Sequence, residues 1–493
     1  RVNGADVRAL AIGEGANLGV TQRGRIAYAL RGGRLNTDSI DNSAGVDCSD
    51  HEVNIKILLD AAIAEGKLPP ADRNALLVQM TDEVGLLVLR DNYLQALAIS
   101  LADSKGTAAL DAQGRLLRML EKSGRLNRAV EFLPDDEALA ERAAAKKGLT
   151  RPENAILLSH AKLWLYEEIL PSDLPDAPYL ERDLIAYFPK ALGEKFRAAA
   201  RAHRLRREIV ATSVTNALVN RAGATFVPEL VERTGIAAHL IARAFVIARE
   251  TFALDSLWAE IEALDGQVPV AAQMAMLHDI NGLGQRATLW FLRLGRPDAD
   301  IAATIAEYRD DIAVLAAGAE KLLPEHYARD LGERAARLVA LGAPEPLARR
   351  VAGLVNLYSA GDVIRLSRES KRGVAEAAGV YYAVGTRFRL GRLRAACETM
   401  DSGGHWQKLA VGALVEEIFG HQLALADQVL KMAQAGWSPA AALERWLADF
   451  APMVAQAEAI LAELWAAPID DLAQVAVASR QLRALAEATG PKG

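Results

Sequence analysis

Cysteine is nearly absent. Cys48 and Cys397 are the only two, far apart in the chain. Two distant thiols give neither a disulfide framework nor a zinc-ligand spacing, and they point to a reducing cytoplasm. Seven of the eight histidines, His160, His203, His239, His278, His326, His405 and His421, are scattered, with no i, i+4 pair and no nearby cysteine, so no metal site is expected. Long apolar runs are also missing. The nearest is "EVGLLVLRDNYLQALAISLADS", which Arg90, Asp91 and Asn92 interrupt, short of the roughly 20 residues of a membrane span. The opening "RVNGADVRALAIGEG" lacks a basic segment followed by an apolar one, so no signal peptide is read. It begins with Arg rather than Met, which suggests a piece of something longer.

An excess of positive charge is missing too. The formal net charge of −6 argues against a general nucleic-acid binder. The basic stretch "KFRAAARAHRLRRE", residues 195–208, holds a single aromatic, Phe196. A solvated helix face, or contact with an acidic neighbour, explains it better than RNA or DNA.

What is present is an ordinary globular composition, 51% apolar and 24% charged over 493 residues, enough for two or more domains. The first sixty residues read differently from the rest. "VRALAIGEGANLG" has the form of a buried strand ending in a glycine-rich turn. "TQRGRIAYALRGG" follows as a short helix that Thr21 can cap and Gly32 can end. "RLNTDSI" is a second short extended run. Strand, turn, helix, strand is the order of a parallel α/β sheet, with too few units to complete one.

From about residue 50 onward the pattern is helix after helix. Thr150 and Glu153 have capping-box spacing, Gly223 closes the helix of "LRREIVATSVTNALVNRAG", and Ser438 and Pro439 open another. "GAPEPLARRVAGLVNLYSAGD" reads as a helix bounded by Gly342 and Gly361. Linkers are expected near 102–114 and 171–183, the second an ordered loop. No repeat of 30 to 50 residues recurs. The expected fold is mostly α: an N-terminal remnant of an α/β, Rossmann-like dinucleotide-binding domain, residues 1–104, then a large all-α domain, residues 105–493.

Two stretches carry candidate chemistry. "GEGAN", residues 13–17, lacks the third glycine of the dinucleotide fingerprint, since Leu18 stands there. It is either a tight turn needing positive φ, or a place where small residues let a ligand approach the backbone. In "DNSAGVDCSDHEVNIKILL", residues 41–59, Ser49 and Glu52 have capping-box spacing. Ser49 is therefore either a plain N-cap or part of an anion site at a helix N-terminus. Asn42 can offer an amide donor and acceptor. Lys56 and Lys67 read as solvated.

The segment "GEGANLGVTQRGRIAYALRGGRLNTDSIDNSAGVDCSDHEVNIKILL" resembles the end of the catalytic domain of the large bacterial NAD-dependent glutamate dehydrogenases. "VLRDNYLQAL", "LTRPENAILLSHAKLWLYEEILPSDLPDAPYLERDL" and "HRLRREIVATSVTNALVNRAG" resemble the same family. The resemblance implies NAD as cofactor, with Asn17 facing the nicotinamide-side ribose and Asn42 bonding the carboxamide. It implies that Ser49 contacts the side-chain carboxylate of L-glutamate, and that 2-oxoglutarate and ammonium are products. Gly19 stands where the shorter glutamate dehydrogenases have Pro, and Ser43 and Ala44 where they have Ala and Gly. The catalytic lysine, its acidic helper and the phosphate loop of the family find no match here, so the chain alone is expected to be inactive. A cytoplasmic homo-oligomer that binds neither nucleic acid nor membrane is expected. The alternative is a non-catalytic helical scaffold or oligomerisation module with a vestigial half-sheet.

Overall fold

The computed structural model describes residues 2–16, 18–322, 324–400, 405–434, 436–466 and 468–490. Among them there is no β-strand, which corrects the expected Rossmann-like remnant: the fold is all-α. The two extended runs do meet. The Ile12 N–H donates to the Arg34 carbonyl at 2.9 Å and the Arg34 N–H to the Leu10 carbonyl at 3.0 Å. They form one isolated parallel bridge, between Ala11 and Arg34. A sheet needs neighbouring strands to pair the remaining backbone groups, and among the described residues nothing supplies them. "RLNTDSI" leaves the extended form early, because Asp38–Asp41 is already helical.

The chain divides into two compact units, Arg1–Arg249 with Thr288–Thr304, and Glu250–Ala287 with Ile305–Gly493. In the first, α1 (Gln22–Leu30), α2 (Ser43–Ala64), α3 (Arg73–Lys105), α4 (Arg151–Ile169) and α5 (Arg206–Ala222) form the frame. α2 packs along α3, α3 along α4, and α4 against α1 and α5. The reason is apolar spacing. Ala155, Leu158, Ala161, Leu165 and Ile169 recur every three or four residues and are buried, as one stripe of an amphipathic helix must be. Leu58, Leu59 and Ala62 of α2 are wholly inaccessible. Burying each such leucine contributes on the order of 2 kcal/mol.

The caps fall where local chemistry puts them. Thr21 accepts from the Gly24 N–H at 3.2 Å, and α4 opens with a complete capping box of Thr150 and Glu153. α5 ends at Gly223, at φ +93°. The expected linker at 102–114 is instead helical: a 3-10 turn, Gly106–Ala109, joins α3 to the helix Leu110–Lys122. Gly106 makes the bend at φ +51°. A Cβ on Gly148 would lie 2.8 Å from the Gly106 carbonyl, so both positions require glycine. Residues 171–180 are an ordered loop of two 3-10 turns with Leu174, Pro175 and Leu180 buried, and a helix, Glu181–Tyr187, begins before the expected linker ends.

The basic stretch 195–208 faces acidic neighbours. Arg197 and Arg201 reach Glu181 at 2.6 and 2.8 Å, and Arg206 reaches Asp176 at 2.5 Å.

The second unit is built on α6 (Val374–Arg387), α7 (His405–Met432), α8 (Pro439–Asp449) and α9 (Leu472–Thr489). α7 packs on α6 and α9, and α8 on α6. Ser438 caps α8, accepting from the Ala441 N–H at 3.2 Å. Gly361 does not end a helix as expected; it lies inside Ala360–Ser370. Gln422 is fully buried and satisfied, donating to the Tyr381 carbonyl and accepting from Arg394, both at 2.8 Å. Two helical stretches, Pro70–Lys122 and Leu409–Met432, are long and apolar enough to cross a membrane on length and composition alone, a test that core helices also pass.

Candidate functional site

The "GEGAN" turn is held by charge. Glu14 and Arg25 are almost sealed from solvent, and the guanidinium donates twice to the carboxylate, both at 2.7 Å. The same carboxylate accepts from the Val20 N–H at 2.8 Å. Two further carboxylates grip the turn: Asp41 accepts from the Glu14 N–H at 3.1 Å, and Asp38 from the Leu18 N–H at 2.9 Å. Arg25 also reaches Asp38 at 3.1 Å. Burial works to lower the Arg25 pKa, but the hydrogen bond and charge of Glu14 outweigh it and hold it above its ordinary value. Burial would likewise raise the Asp38 carboxyl; the Leu18 N–H and Arg25 hold it below its usual range. The turn is therefore clamped at residues 14 and 18–20. Asn17, between them, lies outside the described residues.

Asn42 is the junction between the short Asp38–Asp41 helix and α2. Its side chain leans on Gly45, where an added Cβ would fall 3.0 Å from Oδ1. Ser49 is not a helix cap. α2 starts six residues earlier, at Ser43, and the Ser49 hydroxyl donates back to the Gly45 carbonyl at 3.4 Å. The N-terminal anion site argued from capping-box spacing therefore does not include Ser49. Glu52 pairs instead with Lys56 on the exposed surface, and Lys67 with Glu65. Helical periodicity does bring Asn42 and Ser49 together: seven residues apart, they share one face, about 10 Å along the axis. Gly45, Val46 and Val53 lie on that face and are exposed.

The opposite face of α2 turns inward: beside apolar Ile55 and Leu58 it holds a polar cluster. It carries Asp47 and His51, which meet Asp91 of α3; one potential ligand atom from each lies within 4.8 Å of the others. Lys162 of α4 acts electrostatically on both carboxylates. Burial, then the charge of Asp50, pushes the Asp47 carboxyl up to about 6. Burial brings the Lys162 ammonium down to about 8 and lowers His51. The His51 ring stacks on Tyr187, centroids 4.5 Å apart, and the Tyr187 hydroxyl accepts from the Asn54 amide at 2.8 Å. A search for paired histidines and cysteines passes over this cluster. The visible signal was Asp47 and His51 at i, i+4; Asp91 and Lys162 come from distant helices.

Residues 1–102 match the family described as "Bacterial NAD-glutamate dehydrogenase, catalytic domain", and residues 146–484 match "Glutamate dehydrogenase, C-terminal". The chain is 44% identical over 490 residues to the NAD-specific glutamate dehydrogenase of Pseudomonas aeruginosa. It is 39% identical over 487 residues to that of Halomonas elongata and 36% over 490 to that of Mycobacterium tuberculosis. Each match covers 99% of this chain and 30% of the relative's length.

Proposed function

The chain belongs to the glutamate dehydrogenase family, and from that premise we propose that it is the C-terminal part of an NAD-dependent enzyme that oxidatively deaminates L-glutamate to 2-oxoglutarate and ammonium. The observation that supports the assignment to particular residues is the helix face shared by half-buried Asn42 and exposed Ser49. Asn42 at the start of α2 and Ser49 stand about two turns apart there.

The residues present fit the nicotinamide end of NAD. Gly45 leaves the Asn42 amide room that a Cβ would take, and in this reading the amide donates to the carboxamide oxygen and accepts from its nitrogen. Asn17 faces the adjoining ribose in this reading. The Ser49 hydroxyl donates to the γ-carboxylate of glutamate. The chemistry supplied by the bound cofactor is acceptance of a hydride from the glutamate α-carbon. This chain's part is to orient the two reactants and to exclude water. Exposed Leu10, Leu18, Val46 and Val53 are available to close the cleft. The helical remainder braces the catalytic part, builds subunit contacts or regulates closure in a cytoplasmic homo-oligomer, the compartment being that expected of a chain whose two cysteines form no disulfide.

The test is Ser49→Ala in the full-length enzyme. Loss of a hydrogen bond to a charged group, about 1.5–3 kcal/mol, should raise the glutamate KM or lower kcat/KM roughly 10- to 100-fold while the KM for NAD changes little. Unchanged glutamate kinetics would refute the Ser49 role. The 493-residue chain by itself should form no NADH from glutamate, since no residue here is assigned to proton transfer or phosphate binding; turnover by the purified chain would overturn that.

A further inference from the structure

We propose that Asp47, His51 and Asp91 bind one divalent transition-metal ion, which staples α2 to α3 on the face of α2 opposite Asn42 and Ser49. The first observation is convergence: one donor atom from each residue lies within 4.8 Å of the other two. A metal about 2.0–2.2 Å from each ligand needs them closer by only a small rotation of a side chain. The second is independent of the carboxylates. The His51 side chain is 3% exposed, its ring is fixed by stacking on Tyr187, and its Nδ1 is buried without a hydrogen-bond partner. Its Nε2 stands 3.9 Å from the nearest Asp47 oxygen, beyond hydrogen-bond reach. The Asp47 Oδ2 is likewise buried and unpartnered. Buried polar atoms are nearly always paired, yet neither residue has a hydrogen-bond partner at these atoms, and an ion among the three converging donors would engage one His51 ring nitrogen and the Asp47 carboxylate.

The chemistry of the donors selects that partner. Two carboxylates facing each other repel unless a cation lies between them. An imidazole nitrogen beside two carboxylate oxygens suits manganese, iron, cobalt or zinc, whereas calcium and magnesium favour oxygen alone. Lys162 supplies one positive charge near both carboxylates and so competes with the ion. With His51 neutral, the three ligands and Lys162 carry a formal charge of −1, which a divalent ion reverses. The ion would set the rotation of α2, so its influence on the exposed face is positional.

The test uses the full-length protein stripped with EDTA, exchanged into chelator-free buffer and titrated separately with Mn²⁺ and Zn²⁺. One equivalent should bind, and the bound Mn²⁺ should show nitrogen coupling by pulsed electron paramagnetic resonance. Asp91→Asn should weaken binding at least tenfold, and His51→Gln should abolish the nitrogen coupling. Lys162→Met removes the competing charge and should tighten binding at least threefold; it also serves if the ligand variants fail to fold. No stoichiometric binding by the stripped protein would overturn the site, leaving a buried water as the common partner. So would binding that Asp91→Asn, His51→Gln and Lys162→Met all leave unchanged.

Discussion

Arg142 and Glu153 meet through two parallel hydrogen bonds, at 2.6 and 2.7 Å, and the Glu153 carboxylate is 1% exposed. The same carboxylate accepts from the backbone N–H and the hydroxyl of Thr150, both at 2.7 Å. One side chain thus ties the Asp136–Ala144 helix to the first turn of α4 and completes a helix cap. Removing one partner of a buried pair leaves the other uncompensated, at about 3–5 kcal/mol. Arg142 keeps some access to solvent, so Glu153→Ala should cost near the lower end, about 3 kcal/mol. Thr150→Ala removes only the cap, about 1 kcal/mol. Urea unfolding monitored by circular dichroism checks the order; equal losses would show that the cap, and not the ion pair, matters.

Arg25→Lys should loosen the turn around Asn17. Lysine keeps the charge but cannot reproduce the two bonds from Nε and Nη2 to Glu14 while also reaching Asp38. In the full-length enzyme the expected result is a KM for NAD raised several-fold with a smaller change in the KM for glutamate. Steady-state kinetics with each substrate varied in turn distinguishes this from a general loss of folded enzyme, which would lower the apparent kcat alone.

Gly45→Ala should separate stability from binding. Alanine in a helix is favoured over glycine by about 0.5–1 kcal/mol, and Gly45 is exposed. Its Cβ would nevertheless fall 3.0 Å from Asn42 Oδ1 and push the amide aside. The variant should unfold at an equal or higher urea concentration yet bind NAD more weakly. A gain or loss in both together would show that Asn42 does not touch the cofactor.

His203 makes part of the fold acid-sensitive. Its Nδ1 accepts from the Leu205 N–H at 3.1 Å, which leaves the proton on Nε2, 3.1 Å from the Asn54 carbonyl. A second proton would set donor against donor at Nδ1. Burial lowers its pKa from the ordinary 6.5; the Asn54 carbonyl and Glu208 oppose that and Arg204 adds to it. A group whose folded pKa is depressed favours the native state while neutral. Its contribution is therefore full above about pH 6.5 and is lost as the pH falls toward the folded value. His203→Gln should cost stability at pH 7.5, and the gap from wild type should narrow by pH 5.5. A gap independent of pH would place the effect in packing against Phe188.

The helix signals read correctly from sequence are those contained in a few consecutive residues. Thr150 with Glu153, Thr21, Ser438 and Gly223 each act on the turn beside them, so spacing reveals them. The strand reading failed because a strand is defined by its partners: "VRALAIG" has the right residues, but its one bridge among the described residues is to Arg34. Ser49 misled for a related reason. "DNSAG" looks like a turn, yet Ser43 already begins α2, which moves the helix start six residues upstream. What no spacing could reveal was the assembly of distant charges. Glu14 with Arg25, and Asp47 with Asp91 and Lys162, depend on how whole helices pack. The family resemblance was legible because the motifs around Asn42 and Ser49 are long, even where their local structure was misjudged.

The two thiols differ in a way that is useful at the bench. Cys397 is buried, whereas Cys48 is exposed and adjoins Ser49. Within this chain a maleimide dye should therefore attach at one position under native conditions. That position lies on α2, one residue before the proposed glutamate contact, so the dye becomes a gauge of whatever covers that helix. Its emission in the full-length enzyme should shift as glutamate and NAD are added, and protection of the thiol by substrate would trace the closing of the cleft in real time.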